Sequence, residues 1–206
     1  MEGYTTIRGV ASATIVEKKS EFIASASFAD SEEAALRFLE SVRSEHRTAN
    51  HNVYAYLLRQ DSRTRYSDDG EPQKTAGLPV LEVLRHSGLT DLIVVVTRYF
   101  GGTLLGTGGL VRAYTSAAQA ALERAQRVTV QPCVDLDLLL PYPLYEQAGR
   151  LAAGAGAKVR DTRFADQVTL CLTLLEGTEQ PLLNQLSELC RGKLHLQLSD
   201  PYYAPF

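Results

Sequence analysis

The chain has 206 residues, 45% of them apolar and 22% charged, which is ordinary for a packed globular protein and comfortable for two small domains. A net charge of -3 excludes a whole-molecule electrostatic grip on nucleic acid or on an anionic membrane. Charges balance over residues 1–130 and the acidic excess lies in 131–206, so any basic surface must come from clustering in the first part.

The opening Met1-Glu2-Gly3-Tyr4-Thr5-Thr6 has neither a basic nor an apolar region, so no secretory leader is expected. No apolar run approaches the ~20 residues of a membrane helix, so the expected compartment is the cytoplasm, with no membrane partner. Cys133, Cys171 and Cys190 are odd in number and widely spaced, which predicts reduced thiols rather than a zinc site.

Glu21–Phe28 alternates, with Phe22, Ala24 and Ala26 on one side, and reads as a strand. Asp30 and Ser31 offer an N-cap to a helix over about Glu32–His46, whose apolar stripe is Ala35, Phe38, Leu39 and Val42. Val53–Leu58 reads as a strand and Gln60–Thr64 as a hairpin turn, with Tyr66 leading into a polar loop. Pro79 suits the first turn of a short helix ending at Gly88. Asp91–Thr97 is a core strand, and Leu110–Arg124 a helix after a cluster of glycines. Val128–Val130 reads as an edge strand or the start of a linker, with the boundary near Gln131-Pro132. Beyond it come strands over Val134–Leu140, Ala157–Thr162, Gln167–Leu175 and Lys193–Leu198, with helices over Pro143–Gly154 and Glu179–Arg191. The order βαββαβ is the ferredoxin-like pattern. The expected architecture is α+β in two domains, 1–131 and 132–206. Tyr202-Tyr203 is expected to dock the tail.

Two segments carry polar chemistry. In Ser67–Leu78, three carboxylates (Asp68, Asp69 and Glu71) precede Lys74 and Thr75, among turn-forming Asp-Gly and Pro residues. The segment reads as a solvated loop capping the next helix, a recognition loop or, less well, a cation site, since the calcium-loop spacing is absent. In Thr97–Tyr114, a core strand runs through Gly101, Gly102, Gly106, Gly108 and Gly109 into a helix, flanked by Arg98 and Arg112. Glycines admit close backbone approach and a helix N-terminus favours an anion, so a phosphate or RNA-backbone contact is one reading. The other is tight turns and close packing, because neither the Walker A nor the dinucleotide pattern is present. His51, beside Tyr54 and Tyr56, is open between a general base, a stacking neighbour and a plain hydrogen-bonder. No nucleophile elbow and no cysteine–histidine pairing stands out.

Four ordered strings resemble the IMPACT/YigZ family over nearly the whole chain: Lys18–Ile23, Ala49–Tyr56, Ser67–Pro72 with Thr75–Pro79, and Val96–Gly102 with Leu105–Tyr114. The resemblance implies a ribosomal protein S5 domain 2-like N-terminal domain, similar to domain IV of elongation factor G, and a ferredoxin-like C-terminal domain similar to its domain V. Eukaryotic members regulate translation initiation and carry an RWD domain that is not expected here. Asn50 stands where many bacterial relatives have a second histidine beside His51, which argues against a two-histidine metal site.

Two functional readings follow. The first is a translation-associated binding protein contacting RNA, ribosome or a translation factor, without DNA sequence specificity. Its candidate site is His51, Tyr54, Asp68, Asp69, Glu71, Lys74, Thr75, Arg98, Tyr99, Gly101, Gly102, Gly106, Gly108, Gly109 and Arg112. The alternative is a hydrolase-type enzyme on a phosphorylated or peptidic small molecule, using His51 with Asp68, Asp69 or Glu71. No cofactor or metal is expected, and the oligomeric state is left open.

Overall fold

A computed structural model describes residues 2–206. The chain divides into two compact units, one of Tyr4–Val128 and one of Thr129–Phe206 together with Glu2 and Gly3.

In chain order the first unit holds β1 (Tyr4–Arg8), β2 (Val10–Glu17), β3 (Ser20–Phe28), α1 (Glu32–Glu45), β4 (His51–Leu57), β5 (Thr64–Ser67), α2 (Gly77–His86), β6 (Leu92–Tyr99) and α3 (Gly106–Arg124). β2, β3, β6, β4 and β5 lie side by side in that order, every pair antiparallel. The alternation read in β3 is real: Phe22, Ala24 and Ala26 face the helices α2 and α3. β6 is apolar at every position from Leu92 to Val96, because both its faces are covered there. Leu92, Val94 and Val96 pack under α2 and α3, while Ile93 and Val95 pack under α1. Each such side chain contributes about 1.5–3 kcal/mol of transfer free energy. Ser31, rather than Asp30, caps α1, its Oγ accepting from Ala34 N at 3.3 Å.

Two local expectations are corrected, and two strands are added. Thr64, expected to end the hairpin turn, opens a strand over 64–67 that pairs with β4. α3 begins at Gly106, four residues before the expected Leu110, so the last glycines lie within its first turn. β1 and β2 had no counterpart in the reading of the sequence; their small Ala, Ser and Thr residues give a weak apolar signal.

The second unit runs along β7 (Gln126–Leu140), α4 (Tyr142–Gly154), β8 (Lys158–Phe164), β9 (Val168–Leu175), α5 (Glu179–Leu189), β10 (His195–Leu198) and β11 (Tyr202–Pro205). β10, β7, β9 and β8 are adjacent in that order and antiparallel, which is the ferredoxin-like sheet. Val134, Leu136, Leu138 and Leu140 turn toward Ala148, Ala152, Leu182 and Leu186 of the two helices. Residues 128–130 belong neither to a separate strand nor to a linker. They lie within the 15-residue β7, where Pro132 is the register partner of Tyr203 on β11 and its carbonyl accepts from Glu176 N at 2.9 Å.

On the sheet face opposite the helices, Arg160 bridges Asp135 at 3.0 Å and Asp137 at 2.9 Å. Asp135 also accepts from Thr173 Oγ1 at 2.6 Å and from Tyr202 OH at 2.8 Å, which docks the tail. The three cysteines are free thiols, and burial raises the pKa of each. Among the described residues, no helix is long and apolar enough to cross a membrane.

Candidate functional site

The two polar segments meet in space. A cleft of about 470 Å³ in the first unit is lined by Asn50, His51, Glu71, Pro72, Arg98 and Phe100, with Leu104–Thr107 and Leu110 across from them. β-pairing makes the convergence. His51 opens β4 directly opposite Arg98 on β6, and the glycine loop leaves β6 just beyond.

Below the cleft lies a buried ionic network. Glu71 Oε1 accepts from Arg98 Nη1 at 2.6 Å and from Tyr114 OH at 2.7 Å, and the Arg98 and Glu71 side chains are only 6% and 4% exposed. Arg98 Nη2 donates to Ser20 Oγ at 3.3 Å, while its buried Nε has no partner among the described residues. Burial, reinforced by the Glu71 carboxylate, raises the Tyr114 pKa, so this group remains a protonated donor. A carboxylate gripped by one cation and one phenol is fixed in orientation.

His51 sits at the edge of this network. Its Nδ1 lies 2.7 Å from the carbonyl oxygen of Asp69. A carbonyl only accepts, so Nδ1 carries the proton and Nε2 is the nitrogen left toward Glu71, 3.9 Å away. Asn50 ties the neighbouring ends together, its N donating to Arg98 O at 2.9 Å and its Oδ1 accepting from Phe100 N at 2.8 Å.

The three carboxylates of the first segment have separate tasks. Asp68 takes the backbone N–H groups of Lys74, Ala76 and Gly77 at 2.8–3.1 Å, and so caps the start of α2 from outside the helix. Asp69 accepts from Asn52 N at 2.6 Å and meets Arg43 at 3.4 Å. Only Glu71 reaches the cleft. Thr75 is buried and its Oγ1 donates to Pro72 O at 2.6 Å, which closes the loop on itself.

Several proposed site residues lie elsewhere. Tyr54 and Tyr99 face α1, on the other side of the sheet from His51 and Arg98. Tyr54 is buried and stacks on Tyr56, and the Tyr99 hydroxyl pairs with His46 Nδ1 at 3.0 Å. The physical reason is the two-residue period of a strand, which sends neighbours to opposite faces. Lys74 lines a different groove, between α2 and α3, and Arg112 is exposed on α3 away from the cleft. Arg98 is held by Glu71 and is not a free cation. Of the glycines, Gly106 lines the cleft at φ +71°, whereas Gly102, Gly108 and Gly109 do not line it. Gly101 serves close packing: a Cβ there would run into the Lys19 carbonyl and Ser20 N.

Tyr114, Ser20, Asn50, Phe100 and Leu104 enter the site without having been selected from the sequence. Tyr114 had a signal, since it follows Leu110 by four residues and so shares its inward helix face. Phe100 and Leu104 are 45% and 83% exposed, which gives the cleft an apolar rim. No group of three or more His, Cys, Asp or Glu side chains among the described residues is placed to hold a metal ion.

Residues 18–122, which contain the whole cleft, match the profile of the Impact N-terminal domain, and residues 138–193 match a domain of unknown function (DUF1949). An IMPACT family member in the pol 5' region of Thermus thermophilus is 39% identical over 181 residues, covering 87% of this chain and 98% of the relative. The IMPACT family member YigZ of Escherichia coli K12 is 36% identical over 188 residues, or 89% and 92% of the two chains. A crystal structure described as that of a hypothetical protein superposes with a TM-score of 0.64 at 33% identity, over 95% of this chain and 97% of the other. Matched in both of its units and along nearly its full length, the chain belongs to the IMPACT family.

Proposed function

We propose that this protein is a translation-associated regulatory protein of the cytoplasm that receives its partner, RNA, ribosome or a translation factor, in the cleft of its N-terminal unit. On this reading residues 1–131 carry the partner site and 132–206 form a second domain. The observation that carries it is the convergence of three sequence-distant segments, around His51, Glu71 and Arg98, on one cleft. The regulatory role of eukaryotic members of the family supports the translational part by analogy. Because Arg98 is neutralised by Glu71, recognition within the cleft itself rests on shape, hydrogen bonds and the apolar rim of Phe100 and Leu104.

One observation favours the hydrolase alternative: His51 Nε2 is poised beside a carboxylate at the cleft. Against it, Asp68 and Asp69 are occupied by backbone N–H groups, and Glu71 by Arg98 and Tyr114. His51 would have to act alone.

Co-sedimentation with ribosomes and pull-down of translation factors at low and physiological salt tests the proposal. The wild type is expected to be retained, and Leu104→Asp, placed on an exposed tip that costs the fold little, is expected to abolish retention. Equal retention of both proteins moves the partner away from the cleft. No retention of the wild type, together with turnover of a phosphorylated metabolite that His51→Asn abolishes, decides for the enzyme.

A further inference from the structure

Two lysines beside the glycine loop are left unused by the network below it. β2 and β3 are joined by Lys18 and Lys19 alone, and both sit at positive φ, 45° and 68°. A two-residue hairpin with both central residues in this region is the turn that Asn-Gly fills with least strain. Lysine crowds its own backbone there, and strained backbone of this kind concentrates at functional sites.

The turn is fixed rigidly to the glycine loop. Ser20 is fully buried, and its Oγ accepts from Gly101 N at 3.1 Å and from Arg98 Nη2 at 3.3 Å. Gly101 packs so closely on the Lys19 carbonyl that no side chain fits between them. Both lysines are exposed, and among the described residues neither ammonium forms an ion pair or a hydrogen bond. Glu17 and Glu21 flank the turn at the base of the hairpin, in register with Ser20 and Val16, and neither pairs with a lysine. Next to Gly101 stands the half-exposed Phe100 ring, with the Arg98 guanidinium 5.6 Å from its centroid.

We propose that the Lys18–Lys19 turn and the Phe100 ring form a contact for the backbone and a base of single-stranded RNA at the mouth of the cleft. The inference rests on the cleft being the partner site and narrows that partner to RNA. Unneutralised cations for phosphates beside an aromatic face for a base are the two elements that single-strand binding combines. An acidic protein segment would need the charge alone.

Fluorescein-labelled polyuridine, titrated over a range of salt, provides the test. Lys18→Asn/Lys19→Gly removes both charges while giving the turn its preferred residues, so its melting temperature should equal or exceed that of the wild type. Its binding should weaken, and the slope of log K against log salt should fall by about 1.4, from two phosphate contacts at about 0.7 each. Lys18→Arg/Lys19→Arg should retain binding and slope. Unchanged affinity and slope in the Asn-Gly variant overturn the proposal, as does polyglutamate competing as well as unlabelled polyuridine. A wild type that ignores polyuridine but sediments with ribosomes overturns the RNA contact and leaves the cleft reading standing. A wild type that does neither, and captures no translation factor, removes both.

Discussion

Arg98 and Arg160 each clamp carboxylates, one inside the N-terminal unit and one on the face of the C-terminal sheet opposite its helices. Arg98 and Glu71 are almost wholly buried, and Tyr114 completes the set. Arg160 is 47% exposed, and its partners Asp135 and Asp137 keep contact with water. The geometry of the two clusters is similar, with distances of 2.6–3.0 Å, but the solvent is not. Removing two charges from water costs as much as their attraction returns, so a buried pair is weak as a source of net stability yet strongly destabilising when halved. An exposed pair costs little to make and little to lose. The buried cluster therefore makes sense as a fixed floor for the cleft, and the exposed one as solvated packing of a sheet face.

Breaking the buried pair on one side should have the largest effect. Arg98→Met leaves the buried Glu71 carboxylate without its cation, with only the Tyr114 hydroxyl still donating to it, and should lower unfolding stability in urea by about 3–5 kcal/mol. Adding Glu71→Leu should restore most of that loss while leaving the cleft without its polar floor. If the double variant is no more stable than the single one, desolvation is not the governing cost. A smaller effect is expected from Tyr114→Phe, which removes one hydrogen bond to a charged acceptor, about 1.5–3 kcal/mol in the same assay. The smallest belongs to Arg160→Ala, below about 1 kcal/mol and shrinking as salt is added. A loss at Arg160 as large as that at Arg98 would erase the distinction between the two clusters.

Much of the fold was legible because it rests on local periodicity. The alternation in β3, the stripe of α1 and the βαββαβ order of the second unit were all visible in the chain. The site was legible in its parts but not in its assembly. His51, Glu71 and Arg98 could be singled out, but nothing in spacing alone shows that Glu71 meets an arginine 27 residues on and a tyrosine 43 residues on. That meeting depends on the register of β4 against β6 and on where α3 crosses the sheet. Nor could composition separate Asp68, a helix cap, from Glu71, a cleft wall, in one short acidic run. Tyr54 is different, because the period of its own strand already placed it on the face away from His51.

α3 begins Gly106-Thr107-Gly108-Gly109 and has no side-chain cap. Each glycine lowers helix preference by about 1 kcal/mol relative to alanine, so this turn is the part of α3 that opens most readily. Its amide hydrogens should exchange with solvent well ahead of those beside the buried Ala117, Ala118 and Ala121. Any molecule seated against the Gly106 end of the cleft would slow that exchange. Occupancy of the site can thus be read from deuterium uptake over residues 106–110, whatever the occupant does there.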